Sequence, residues 1–477
     1  MCWHGPTAES GETDADEEET RDLKGSYLTN VVRKTATVAL LVVLFGALLT
    51  WAGLPAREQL PAFLLGAGIL GGLLATMGYL GWYLLLKPLP TGHKKPAASA
   101  LKPGYRRLLS ALVAISGINI VVGGFWDEVW HRKYGLPFGE DLLWRPHLLL
   151  YAGFTLLVGL SFFGLIHLLR RGRGSHQQRF RADPIVGLLV LVGGFLIYAL
   201  PADPLWHIIY GEDISAWSLP HLVLTVSFLL IVLLAAAIQL STVPARRWAW
   251  LHRGRSSDVL PLMMAAFGQV VLLQVLTTEW DTGSSFVVSN RPEWLLPALL
   301  TAVATFTGAW ITHATRLIGA GSAAGLIALG IRGALVALFG YDGVTASPWI
   351  AALPALLGMD VWYALNHLRR SRTPDLISTA TAALAAAAII GYPVVNALFF
   401  YPTIGGGNLF VMLLASFSAA VGGSWLGRRL GDYLGAANKQ TEGVEEISLP
   451  LRLVPVTGLA GLLAFIAVFI ITASPPV

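Results

Sequence analysis

Long apolar runs alternate with short polar joints along most of this chain. A helix needs roughly twenty apolar residues to cross a bilayer. About thirteen runs approach that length: near 35–54, 62–86, 107–130, 146–169, 184–207, 219–240, 258–278, 294–313, 315–339, 347–366, 376–401, 407–426 and 450–472. They are rich in Leu and Ala and lack the period-two alternation of barrel strands, so helices are predicted throughout. The shortest joint falls around Thr312–Arg316.

Composition points the same way. Of 477 residues, 55% are hydrophobic and 13% charged, about half the charge of an ordinary soluble domain. The fold class is therefore all-α, a polytopic integral membrane protein with about thirteen transmembrane helices and the lipid bilayer as its first partner. A homo- or hetero-oligomer in the membrane is compatible with this class. The single cysteine, Cys2, makes no internal disulfide. A net charge of +5 does not indicate nucleic acid, and none is expected as a partner.

The distribution of basic residues says more than their sum. Arg and Lys cluster in joints that thirteen spans would place on one side: Lys87–Arg107, Arg170–Arg181, Arg246–Arg255, Arg369–Arg372 and Arg428–Arg429. By the positive-inside rule that side is cytoplasmic. The chain is then a multi-pass protein of the cell (inner or plasma) membrane, N-terminus inside and C-terminus outside. Residues 1–33 are acidic and polar, contain no signal-peptide pattern, and are expected to form a disordered cytoplasmic tail. Two transmembrane helices would follow in 34–106, a three-hairpin repeat in 107–313, and a transmembrane scaffold in 314–477.

The opposite joints are acidic and histidine-rich, and they repeat. Trp126–Tyr151 carries Asp127, Trp130, His131, Gly135 and Pro146-His147. Later, Asp203, Trp206, His207, Gly211 and Pro220-His221 recur in the same order. A third copy has Thr277, Trp280, Asp281 and Arg291-Pro292-Glu293, without the histidines. Asp-x3-His at the end of a helix puts both side chains on one face, roughly 6 Å apart at Cβ. Pro146 and Pro220 suit the first turn of the following helix, which would bring a second histidine over the pair. Gly135 and Gly211 would let the backbone turn. Two outward-facing metal sites are thus predicted, Asp127/His131/His147 and Asp203/His207/His221. One carboxylate and two imidazoles suit copper, zinc or iron, and three ligands leave a position open. A structural polar cluster or a proton- or ion-conducting group is the alternative reading of the same residues.

Asp203-x3-His207-x13-His221, with Trp206 and Pro220 each preceding a histidine, resembles the copper-site segment of the C subunit of particulate methane and ammonia monooxygenases. Asp127, His131, His147 and Tyr151 resemble it too, with a slightly longer loop. The resemblance covers about twenty residues per copy, within a longer chain that shows no cupredoxin-like domain. It implies copper as the cofactor, at the outer face, and chemistry of an oxygenase-like redox kind.

Other features read as structure. Trp126, Trp130, Trp144, Trp206, Trp217, Trp280 and Trp294 form an aromatic belt at the membrane interface on this reading. Arg332, inside an apolar run, either snorkels outward or pairs with Asp281, Glu293 or Asp342. Asp360 and His367 read as a polar anchor at a helix end. Three functions remain in view: a copper-type metal-binding protein, monooxygenase-like if it is an enzyme; a metal-ion or proton transporter using the outer Asp/His cluster for capture; and a non-catalytic membrane scaffold. The few polar residues within the runs (Asn119, Gln269, Gln274, Arg332 and Asn396) weigh against a wide polar path.

Overall fold

The structure is a computed structural model. It describes residues 60–87, 101–134, 143–171, 174–199, 219–243, 247–253, 258–281, 294–339, 350, 352–369, 375–394, 409–436, 461 and 464–473. The chain divides between Leu60 and Pro61, and apart from Leu60, where the first helix begins, every described residue belongs to the second unit. Its main helices are α1 Leu60–Gly81, α2 Pro103–Tyr134, α3 Arg145–Arg171, α4 His176–Ala182, α5 Pro184–Ala199, α6 Leu219–Leu240, α7 Val259–Asp281, α8 Leu295–Thr315, α9 Ala320–Phe339, α10 Ala352–Leu368, α11 Leu376–Ala386 and α12 Leu409–Ala436. Residues 464–471 form a further short helix. The strands among the described residues are two residues long, β1 Ala249–Trp250 and β2 Leu317–Ile318, paired in parallel with Ala249 opposite Leu317.

Eight described helices are long and apolar enough to cross a membrane, or nine if α4 and α5, bent by 112°, count as one span. This is fewer than the thirteen runs in the sequence. The run 35–54 lies outside the described residues, as do the ends of several others. The run 347–366 becomes α10, only 17 residues long. Between α8 and α9 the helix breaks where Arg316 adopts a left-handed backbone (φ 57°) and Gly319 a positive φ of 92°. That turn is stabilised by the β1–β2 pairing. Apolar side chains such as Leu65, Ile69, Phe162, Phe163, Ile389, Phe410 and Leu414 are exposed, a surface compatible with lipid contact.

The helices pack in a chain of neighbours. α2 contacts α3 and α6, α6 contacts α7, α7 contacts α8 and α9, and α8 contacts α9, α10 and α12. The closest seam joins α8 to α12. Gly423, Gly427, Gly431 and Gly435 recur every fourth residue, so they share one face of α12. On that face a Cβ at Gly431 would lie 2.5 Å from the Trp310 carbonyl oxygen and 2.6 Å from His313 Cβ. Gly423 and Gly427 face the Ala302 and Phe306 carbonyls in the same way. In lipid, helices gain little from excluding water from one another, and small residues let backbones approach for dispersion and carbonyl contacts.

One end of the bundle is tied by polar contacts. Arg106 Nη2 pairs with buried Asp183 at 3.0 Å, and Arg106 Nη1 donates to Ser241 Oγ at 3.2 Å. Asp183 also accepts from Leu101 N and, as the cap of α5, from Val186 N. The starts of α2 and α5 and the end of α6 are therefore joined at this end. Arg106, Arg107, Arg170, Arg171, Arg179 and Arg181 lie there, so it is called the basic end. Asp360, expected to anchor a helix end in water, is instead buried. It takes Ser322 N and Ser322 Oγ, each at 2.6 Å, at the N-terminus of α9, satisfying orphan donors of a neighbouring helix.

Gly431→Ala should lower thermal stability by about 1–3 kcal/mol through overpacking against α8. Gly422→Ala, where an added Cβ meets nothing within 4 Å, should be neutral or slightly stabilising because alanine favours helix. Thermal unfolding of the detergent-purified variants measures both; equal losses would contradict the seam.

Candidate metal centre

The first ligand set begins on α2. This helix runs unbroken through Asp127 and His131 to Tyr134, so His131 lies one turn beyond Asp127, as its spacing requires. From Arg106 at the basic end to Asp127 is about 30 Å along α2, close to the thickness of a bilayer's hydrocarbon core. α3 then opens with Arg145, Pro146 and His147, which puts the proline in the first turn. His147 Nε2 lies 2.9 Å from Asp127 Oδ1, with side-chain exposures of 11% and 19%. A carboxylate and an imidazole twenty residues apart in sequence thus meet between two helices, largely out of water.

A carboxylate oxygen and an imidazole nitrogen are donor types that transition metals accept. Two donors each about 2.0–2.1 Å from one ion stand about 2.9 Å apart at a right angle and about 3.3 Å apart in a tetrahedron. The Asp127–His147 separation suits a shared ion or a direct hydrogen bond. For His131 only the backbone is described.

Aromatic rings enclose this pair. His147 lies 5.5 Å from the Trp144 ring and 5.9 Å from Tyr151. Trp144 meets Trp130 edge-on at 5.5 Å, and Trp130 meets Trp126 at 5.0 Å. Trp126 is fully buried, stacks on Phe339 of α9 and meets Phe469 edge-on. Trp126 and Trp130 are thus not part of a lipid-facing belt; they pack inside the protein as the wall of the hairpin. Phe469 is held by Arg145, whose Nη1 donates to the Phe469 carbonyl at 2.8 Å and to Thr472 Oγ1 at 2.6 Å, with the guanidinium 5.2 Å from the Phe469 ring. The segment 464–473 therefore ends beside the candidate centre.

The second set is only partly described. α6 opens with Leu219, Pro220 and His221, the same register in which α3 presents Pro146 and His147. The side chain of His221, and the whole of Asp203 and His207, lie outside the described residues, as do Gly135, Gly211, Trp206 and Trp217. In the third copy α7 reaches through Thr277 and Trp280 to Asp281, and Thr277 Oγ1 donates to Leu273 O of its own helix at 2.6 Å. Among the described residues no group of three or more His, Cys, Asp or Glu side chains converges, and these residues include neither set in full.

Arg332 is buried on α9, donates to Gln274 and lies 4.9 Å from the Phe125 ring centroid. Of the acidic partners considered from sequence, Glu293, Asp342 and the Asp281 side chain lie outside the described residues.

Sequence reasoning missed a second polar cluster at the basic end. His313 Nδ1 lies 3.0 Å from Asp432 Oδ1, and His313 Nε2 lies 2.8 Å from Tyr363 Oη. Arg316 Nη2 reaches Asp432 at 3.3 Å. Trp248 stacks on Tyr363, meets His313 edge-on, and lies beneath the Arg316 guanidinium. A lone histidine inside an apolar run was the available signal.

No protein-family model, characterised protein or solved structure matches the chain.

In metal-free protein, Asp127→Asn and His147→Ala should each lower the unfolding temperature. The double variant should fall short of additivity by about 0.5–3 kcal/mol, as expected for residues in contact. Additive losses would show that the pair does not interact in solution.

Proposed function

We propose that this chain is an integral membrane metal-binding protein, with copper the favoured ion and zinc or iron chemically admissible. Its first site is Asp127, His131 and His147, and its second is Asp203, His207 and His221. The reading rests on the meeting of Asp127 and His147 from separate helices, with His131 one turn along α2. The common Pro-His register of α3 and α6 supports extending it to the second set. The resemblance to the copper-site segment of the monooxygenase C subunits favours copper over zinc or iron. Bound there, copper would supply redox or oxygenase-like chemistry. Asp127 and His147 would hold the ion, while Trp130, Trp144 and Tyr151 would limit water and fix the imidazole plane.

On this reading the chain has thirteen spans and three tandem hairpins in 107–313, two of them carrying ligands. The N-terminus is cytoplasmic, the sites face outward, and the flanking regions 34–106 and 314–477 act as membrane scaffold. The segment 464–473 ends on the same face as Asp127, which fits an even number of crossings between α2 and the C-terminus.

Full-length protein in detergent, loaded with Cu(II) and dialysed, should retain about two copper ions per chain, since each set has enough ligands to bind one. The expected signal in electron paramagnetic resonance is that of type-two copper. His131→Ala and His207→Ala should each remove about one ion, and together all of them. Absence of bound copper, zinc and iron from the wild-type chain, or retention of metal by the double variant, would overturn the assignment.

A further inference from the structure

The basic end lies opposite the candidate metal centre, and one corner of it is crowded with cations. We propose that this corner binds the phosphate headgroup of an anionic phospholipid, at the place where α4 joins the ends of α1 and α3. α4 lies across the bundle, because the chain bends by 112° between it and α5. Its start is fixed by a capping box: Ser175 Oγ accepts from Gln178 N, and Gln178 Oε1 accepts from Ser175 N. Pro184 opens α5 directly after the bend. Phe180 anchors α4 from beneath, buried against Leu168 of α3 and Val186 of α5. A helix held crosswise at the end of membrane-spanning helices lies in the interface plane, at the level of the headgroups.

α4 tethers two helix ends. One π-helical turn, Trp82–Leu86, extends α1 to Lys87. Gln177 Nε2 donates to the Tyr83 carbonyl at 2.9 Å, and Arg181 Nε donates to the Leu84 carbonyl at 3.3 Å. On the other side Arg179 Nη1 donates to the Leu169 carbonyl at 3.1 Å, in the last turn of α3. These side chains satisfy carbonyls that a helix end leaves without partners. They also gather charge. Lys87 from the end of α1, and Arg170 and Arg171 from the end of α3, come to the two flanks of one short helix that carries Arg179 itself.

Three observations point to an anionic lipid as the occupant. The first is charge. α1, α3, α4 and α5 contain no Asp or Glu, and Asp183, between α4 and α5, is buried and taken by Arg106. Arg170 and Arg171 are exposed and form no ion pair among the described residues. A guanidinium presents a planar fork of donors that matches a phosphate, and Arg179 commits Nε and Nη1 to carbonyls while its Nη2 remains. The second is the apolar surface leading to these cations. Phe162, Ile166 and Arg170 follow one another at four-residue spacing on an exposed face of α3. An acyl chain lying along Phe162 and Ile166 therefore ends at Arg170. The third is the aromatic rim of α1. Tyr79 and Tyr83 are exposed and stack at 6.1 Å, and Lys87 Nζ lies 5.1 Å from the Tyr83 ring centroid. Tyrosine favours the headgroup level of a membrane. A free phosphate would draw on the charge alone; a phospholipid uses all three features.

The test is titration of full-length protein in neutral detergent with phosphatidylglycerol, phosphatidylcholine and inorganic phosphate, the bound species being counted by native mass spectrometry. Phosphatidylglycerol should bind about tenfold or more tightly than phosphatidylcholine, and inorganic phosphate should not displace it. Arg170→Gln together with Arg171→Gln should weaken phosphatidylglycerol binding by roughly 20–30-fold, since each basic group near an anionic surface is worth about a fivefold preference. Arg170→Lys with Arg171→Lys keeps the charge and should retain most of the binding. Arg369→Gln with Arg429→Gln removes the same charge just past α10 and on α12, and should leave binding within about twofold, because distant exposed charges are screened. Equal binding of the two lipids, displacement by inorganic phosphate, or an equal loss in the Arg369 and Arg429 variant would each overturn the proposal. All four arginines are exposed, and the comparison of lipids on the wild-type chain needs no variant.

Discussion

The close approach of α8 and α12 is the contact on which much of this bundle depends. Four glycines on one face of α12 let it lie against the carbonyl edge of α8, and the groups beyond inherit the resulting geometry. Asp432 lies next to Gly431, so it reaches His313 only because the two backbones are this near. α8 in turn positions α10 and the turn into α9, where Asp360 caps a helix that is not its own. In a bilayer, where water exclusion contributes little between helices, such fit replaces the hydrophobic driving force of a soluble core.

A different logic governs the opposite end. The Asp127–His147 pair belongs to one hairpin, but its surroundings come from across the chain: Phe339 from α9, Phe469 from the last helix, and Arg145 holding that helix in place. Burying a carboxylate and an imidazole together is costly unless they share a hydrogen bond or a cation. The tryptophan wall leaves the pair only partly exposed to water, at 11% and 19%, and so favours that sharing. The two ends therefore do opposite things with histidine. One brings it against a carboxylate beneath aromatic rings; the other threads it between a wet acid and a dry phenol.

Much of the helical frame could be read from the apolar pattern, because length and periodicity are local properties. The run 146–169 became α3 and 219–240 became α6, each within a residue or two at the N-terminal end. The spacing of Asp127 and His131 also survived, because α2 does not fray before Tyr134. Trp126 was misjudged for the opposite reason. A tryptophan near a helix end fits the membrane interface by type alone, and only Phe339 and Phe469, hundreds of residues away in sequence, reveal that it is enclosed. His313, Tyr363 and Asp432 are 50 and 119 residues apart in sequence, and no spacing rule joins them. Gly423, Gly427, Gly431 and Gly435 stand four residues apart in the sequence, but nothing in that spacing says which helix they face.

The clamp from Arg145 to the Phe469 carbonyl spans 324 positions of sequence. A ribosome making this chain releases the first hairpin long before the residues that close its wall exist. Until the last helix arrives, the tryptophans around Asp127 and His147 lack one side of their enclosure. Maturation of this corner therefore waits on a segment translated 324 positions after the arginine that holds it.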